Sequence, residues 1–392
     1  LDDAIDHHRA SLRLRPPGHP DRSSSLNNLA STFSTRFKQR GDRADLDEAI
    51  ELNRAALALH PQGHPDRSMS LNNLAVTPST RFKLHGGNDK ADLDEAIELN
   101  HAALALHPPG HPKHSTSLSN LASTLSTRFK QGNDRAYLDK AIELNRAALA
   151  LRPPGHPSHS TSLNNLASTL STRFEQGGNR ADLDEAIELL RAALELHPPG
   201  HPSHSTSLSN LAVILSTRFQ QRGNRADLDK AIELNRAALA LRPPGHPDHS
   251  RSLNNLAYTL STRFEQGGDR ADLDEAIELN RGALALHPPG HPNHSTSLSN
   301  LACTLSTRFE QGDDRADLDK AIELNRAALA LRPPGHPSHS TSLNNLAFTL
   351  STRFEQGGDR ADLDEAIELL RAALALHPPG HPSHSTSLSN LA

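Results

Sequence analysis

Histidine is the residue type whose spacing in this chain looks most like a chemical site. His197, His201 and His204 fall within eight residues, a ligand density that would suit zinc, nickel or copper. The arrangement is not unique. Gly-His-Pro occurs nine times, at His19, His64, His111, His156, His201, His246, His291, His336 and His381. Seven copies add a His three residues later, and five have one four residues earlier. Proline stiffens every copy, and Arg22 and Arg67 replace the third histidine in the first two. We therefore expect a repeated turn, with no metal and no cofactor.

Two other columns of side chains recur with the histidines. One is asparagine, at Asn28, Asn73, Asn120, Asn165, Asn210, Asn255, Asn300, Asn345 and Asn390, each before a Leu-Ala pair. An amide both donates and accepts, so it satisfies a peptide unit without reading its side chain. The competing role is a structural ladder between neighbouring helices. The other column is arginine, at Arg36, Arg81, Arg128, Arg173, Arg218, Arg263, Arg308 and Arg353. It lies eight residues on, about 80° around a helix of 3.6 residues per turn. Its guanidinium forks suit carboxylate or phosphate, or simply pair with acids of the next helix.

Catalysis needs unlike groups converging at one place, and here nearly every polar residue is repeated many times. Cys303 holds a position occupied elsewhere by Ser123, Ser168, Val213, Tyr258 and Phe348, so it reads as a filler. Gln176-Gly177-Gly178 lacks the Lys-Ser/Thr of a phosphate loop. We expect no enzyme.

Composition narrows the partners. The 392 residues carry 41 Lys+Arg against 46 Asp+Glu, a net charge of −5 with no basic cluster, so no nucleic-acid or anionic-membrane footprint is expected. No apolar run is long enough to span a bilayer. A single cysteine forms no internal disulfide and suits a reducing, cytoplasmic compartment. The chain opens on Leu1-Asp2-Asp3 and its one methionine is Met69, so it reads as a piece of something longer.

The elements that position these columns come from one unit copied nine times. Leu-Asp-X-Ala-Ile recurs at Ile5, Ile50, Ile97, Ile142, Ile187, Ile232, Ile277, Ile322 and Ile367, every 45 residues except for one step of 47. Of 27 prolines, 26 sit in the Gly-His-Pro loops, which marks punctuation of an array and argues against disorder. A longer rhythm overlies this one. Ser119, Asn164, Ser209, Asn254, Ser299, Asn344 and Ser389 alternate in step with His107, Arg152, His197, Arg242, His287, Arg332 and His377.

Each unit reads as two helices. In Ala181 to Leu196, the positions Leu183, Ala186, Ile187, Leu190 and Leu194 make one apolar face. Asp182 and Glu185 have capping-box spacing, and Pro198-Pro199 ends this helix B. Upstream, Leu163, Leu166, Ala167, Leu170 and Phe174 mark helix A, with Pro157 placed to be its first residue. The column Phe37, Phe82, Phe129, Phe174, Phe219, Phe264, Phe309 and Phe354 reads as core. Pro78 stands in mid-helix A of the second unit, near a two-residue insertion around Leu84 to Gly87. A kinked or broken helix is expected there, since an interior proline costs about 3 kcal/mol.

Ala186, Ala193 and Pro198 on helix B, with Leu166-Ala167 and Leu170 on helix A, resemble the tetratricopeptide repeat. The Gly-His-Pro loop followed by Asn-Leu-Ala is similar to the longer units of kinesin light chain and of fungal and bacterial multidomain proteins. The length departs from the usual 34 residues. So does the residue on helix B where an aromatic is usual: Asn145, Asn235 and Asn325, or Leu190 and Leu370.

The resemblance implies an all-α, right-handed α-solenoid of stacked helix A–helix B pairs. We expect one solenoid over 1–392, with a partial unit at 1–15 and full units at 21–62, 66–109, 113–154, 158–199, 203–244, 248–289, 293–334 and 338–379, then a truncated helix A at 383–392. It also implies a concave helix A face on which the Asn column, with Arg128, Arg173, Arg218 and Arg263, contacts an extended peptide or partner domain. The uncapped ends are open to self-association. The alternative is a regulatory array whose nucleotide-binding or caspase-like protease effector lies outside this piece.

Overall fold

The structure, a computed structural model, describes residues 1–376 apart from 86–89, 133, 198, 199, 202, 313 and 337. Among these residues it is entirely helical, with seventeen helices. They gather into two compact units, Leu1–Ala238 and Leu239–Ala392.

The first unit opens with α1 (Asp2–Arg13), a helix B, followed by four helix pairs. Those are α2 (Arg22–Arg40) with α3 (Arg43–Ala58), α4 (Arg67–His85) with α5 (Lys90–Ala105), α6 (His114–Gly132) with α7 (Arg135–Ala150), and α8 (His159–Gly177) with α9 (Arg180–Glu195). α10 (His204–Arg222) and most of α11 (Arg225–Ala240) complete it. The second unit holds α12 (His249–Glu265) with α13 (Arg270–Ala285), α14 (His294–Gly312) with α15 (Arg315–Ala330), and α16 (His339–Glu355) with α17 (Arg360–Ala375). Within each unit, helix A and helix B of a pair pack closely, and each helix B packs on the helix A that follows.

The expected stripes form the core. On α8 the residues Leu163, Leu166, Ala167, Leu170 and Phe174 are buried, and on α9 Leu183, Ala186, Ile187, Leu190 and Ala193. A helix pair cannot bury both stripes alone, so each core cluster draws on neighbouring pairs, as when Leu166, Leu190 and Leu211 share one. Phe37, Phe129, Phe174, Phe219 and Phe309 are buried, consistent with the column's core reading.

Three local expectations change. The N-cap of α9 is Asn179, whose side-chain oxygen accepts from the Ala181 N–H at 3.3 Å. Asp182 is therefore the third helical residue, not the cap. The three-residue spacing is real but begins one turn earlier, because Asn179 takes the extended backbone (ψ 103°) that a cap requires. Pro157 precedes the Ser158 cap of α8, so it stiffens the turn and does not start the helix. In that turn Gly155 has φ +94° with open space around it, so glycine is demanded by conformation alone.

Pro78 does not break its helix. α4 runs from Arg67 to His85 as one element. A proline forfeits one ladder bond, and packing between α4 and both α3 and α5 holds the helix across the gap. Residues 86 and 87 of the insertion lie outside the described residues.

Candidate functional site

Two grooves lie on helix A surfaces. Between α2 and α4 lies a cavity of about 430 Å³ lined by Asn28, Ser31, Lys38, Met69, Asn73 and Val76, among others. A second, of about 280 Å³, is lined by Glu265 of α12, Cys303, Ser306 and Glu310 of α14, and Asn345 and Phe348 of α16. The column asparagines therefore border both spaces.

The Asn column divides. Asn120 donates to Asn72 Oδ1 at 3.3 Å, and Asn210 to Asn164 Oδ1 at 2.9 Å, so these two amides form rungs between layers. Among the described residues, the side chains of Asn28, Asn73, Asn165, Asn300 and Asn345 make no such bond, and all are at least partly exposed. Sequence periodicity could not separate the two groups: Asn254 stands in the layer before Asn300 as Asn164 does before Asn210, yet its Oδ1 accepts no bond.

The Arg column is occupied by protein carboxylates. Arg173 places Nε 2.8 Å from Asp182 Oδ2 and Nη2 2.8 Å from Asp182 Oδ1, with Nη1 3.4 Å from Asp139 of the preceding layer. Arg218 repeats the fork on Asp227, Arg263 on Asp272, Arg308 on Asp317 and Arg353 on Asp362. The acids sit near helix N-termini, where partial positive charge favours them, and Asp182 is only 2% exposed. In the α6–α7 pair Tyr137 replaces the acid. The Arg128 guanidinium lies 5.4 Å from its ring centre, and Nε donates to Asp94 at 2.9 Å. Of the two roles open to this column, the ion pair is the one the geometry displays.

The histidines are spent on the turn. His156 Nδ1 accepts the Ser158 N–H at 3.0 Å, while the Nδ1–H of His159 donates to the Arg152 carbonyl. His197 and His201 stack with centroids 4.0 Å apart. Lone pairs lie in the ring plane, so stacked rings present them side by side and do not converge on an ion. Among the described residues only His60, His64 and Asp66 bring three ligand atoms within 4.8 Å of one another, and His60 and His64 are stacked as well.

Two buried polar devices were not read from the sequence. Helix B asparagines reach into the next helix A: Asn100 to Thr124 at 2.9 Å, Asn145 to Thr169 at 2.9 Å, Asn53 to Thr77 at 3.0 Å. This explains asparagine where an aromatic was expected. At Leu190 the apposed position is Ile214, and both are buried in one cluster, so the polar pair is replaced whole. The second device is the loop arginine. Arg152, 4% exposed, donates to Ser115 at 3.0 Å, Thr116 at 3.1 Å, Ser119 at 3.3 Å and Ser162 at 2.9 Å, all hydroxyls. Arg332 repeats this on Ser295, Thr296, Ser299 and Ser342. Burial without a carboxylate lowers both guanidinium pKa values.

Electrostatics differ along the helix A face. The residue after the column phenylalanine is Lys38, Lys83, Lys130, Glu175, Gln220, Glu265, Glu310 and Glu355 in turn. Surrounding protein pushes the Glu265 and Glu310 carboxyls up, and Glu310 raises Glu265 further. Neither has a cationic partner among the described residues. Crowding and both glutamates also raise the Cys303 thiol, the direction away from a reactive thiolate.

Stacked helix pairs of 45 residues with an Asn-bearing helix A define a helical-repeat interaction protein. The tetratricopeptide repeat family model matches seven segments, 22–66, 115–158, 160–203, 205–248, 250–293, 295–338 and 340–383, and the chain belongs to that family. Such repeats make it, broadly, a protein-interaction scaffold. No curated protein sequence matches it. A Podospora anserina putative kinesin light chain with nearly identical repeats is 23% identical, over 58% of this chain and 100% of that one, with a TM-score of 0.40. The apo quorum sensor NprR of B. thuringiensis is 11% identical over 96% and 98%, with a TM-score of 0.52. The human IFIT1 dimer solved with m7Gppp-AAAA is 14% identical over 99% and 75%, with a TM-score of 0.57. No described helix is long and apolar enough to cross a membrane.

Proposed function

We propose that the chain is a scaffold that holds an extended peptide, or an extended segment of a partner domain, along its helix A faces. One observation carries this reading: the amides of Asn28, Asn73, Asn165, Asn300 and Asn345 are unoccupied and partly exposed, and three of them line grooves. An amide that neither neighbour engages can donate to and accept from a peptide backbone. The Arg column supports the face indirectly, because its forks tie helix A to two helix B acids and hold the layers in register.

RNA, the ligand in the IFIT1 comparison, suits this surface less well. Glu265 and Glu310 would oppose phosphate in the second compact unit, and binding of a nucleic-acid backbone is driven by clustered cations.

The test is capture of partners by the chain and by a variant with Asn165, Asn300 and Asn345 changed to alanine, identified by mass spectrometry. Partners lost from a variant that keeps its helical circular dichroism support the reading. An unchanged set sinks it.

A further inference from the structure

The eight near-identical copies differ most at one exposed helix A position, held by Ser31, Val76, Ser123, Ser168, Val213, Tyr258, Cys303 and Phe348. In the second compact unit Tyr258 is 53% exposed and Phe348 56%, and Cys303 between them in sequence is exposed too. An array this uniform keeps its core and turns constant, so a position that alternates among serine, valine and aromatics is under no packing constraint. Large apolar groups left in water are informative where they gather in a groove.

The unpaired glutamates occupy the same helix face. Glu265 follows Tyr258 by seven residues, Glu310 follows Cys303 by seven and Glu355 follows Phe348 by seven. Seven residues are two turns, or about 10 Å along the helix. Cys303, Glu310, Glu265 and Phe348 line one cavity of about 280 Å³. An apolar rung and an acidic rung thus run side by side across α12, α14 and α16. An extended chain advances about 3.3 Å per residue, so three residues cover the distance between the rungs.

We infer that this groove takes an extended protein segment carrying an apolar side chain and, about three residues away, a lysine or arginine. Charge complementarity selects the occupant: two carboxylates without cations, beside exposed apolar side chains, are satisfied by a cationic and apolar segment and repelled by an acidic one. The inference rests on helix A being the ligand face, and it adds which ligand that face accepts here.

The experiment uses the full chain and fluorescein-labelled dodecapeptides built from the repeat Leu-Ser-Ser-Arg, with controls in which Glu replaces Arg or Ser replaces Leu. Fluorescence anisotropy should show binding of the Leu/Arg peptide alone, weakening at about 0.5 M salt. Glu265→Gln with Glu310→Gln should weaken it by about tenfold, and Phe348→Ser by a similar factor. Gln220, Ser123 and Ser168 occupy the corresponding positions in other copies, so these variants suit the fold. Absence of binding, equal binding of the Glu peptide, or indifference to the Glu→Gln pair overturns the inference. If the Glu peptide binds and only Asn300→Ala with Asn345→Ala releases it, the peptide-scaffold reading stands and this one falls. If the Leu/Arg peptide ignores the asparagine changes but not the glutamine ones, this inference stands and the amide role falls. Self-association of the unliganded chain that the glutamine pair abolishes would assign the groove to a second copy, and also overturns it.

Discussion

Arg152 Nη1 donates to Ser119 Oγ across 3.3 Å, joining the two positions that alternate through the array. Where the loop residue is arginine, the helix A residue is serine; where it is histidine, that residue is asparagine. In the arginine layers the 90-residue rhythm is therefore a contact, a long guanidinium beside a short hydroxyl; in the next layer His197 and Asn164 each meet the Ser207 hydroxyl.

Ser119→Asn should destabilise the first compact unit by about 1–3 kcal/mol, because the larger amide crowds a buried guanidinium and displaces the hydroxyl that accepts from it. Adding Arg152→His should recover most of that loss. Urea unfolding of the two single variants and the double one measures it, and strict additivity would show that the contact is not the cause.

The Leu190–Ile214 pair gives a second cycle. Leu190→Asn buries an amide against Ile214 and should cost about 2 kcal/mol. Leu190→Asn with Ile214→Thr recreates the Asn145–Thr169 arrangement, bonded at 2.9 Å, and should cost less than the single change. The coupling is read from thermal melts of all four proteins.

Arg173 protects stability before it serves any ligand. Arg173→Gln takes the cation from Asp182, whose side chain is 3% exposed, while the arginine side chain is 23% exposed. Allowing for solvent at the arginine, the loss should be about 2 kcal/mol, and lysine should recover only part of it, since it cannot fork. Chemical denaturation gives the answer.

Acid should loosen the second compact unit. Burial, with smaller contributions from His291 and His294, lowers His287 to about 4. The unfolded chain takes up the proton near the ordinary 6.5 and the folded one resists it, so stability is complete above 6.5 and falls as pH drops toward 4. The loss at pH 4 should approach about 3 kcal/mol. His287→Gln should flatten that part of the pH–melting-temperature curve; an unchanged slope would assign the acid sensitivity elsewhere.

Pro78→Leu should raise stability by up to about 3 kcal/mol. Leucine holds the equivalent place at Leu125, Leu170, Leu215, Leu260, Leu305 and Leu350, all buried. A differential melt compares the two proteins directly.

Periodicity is local, and what it encodes was legible. The helix pairs, the buried phenylalanines and the proline-glycine turns follow from spacings within one unit. The caps were misplaced by a turn, because Asn179 and Asp182 share the required chemistry and only backbone angles choose between them. The asparagine column was half legible: its recurrence was visible, but not which members are tied to a neighbour.

The sequence alone determined that one 45-residue amphipathic unit is copied along the chain, and that its polar columns are copied with it. The tertiary structure decided what each column does. Stacking puts residues 24 to 48 positions apart into contact. It spends arginine on Asp182, histidine on the turn and Asn120 and Asn210 on rungs, and it leaves Glu265 and Glu310 facing a groove without a cation. Charges and amides are interchangeable in a repeat pattern; only the neighbour in the next layer determines whether their bonds are already made.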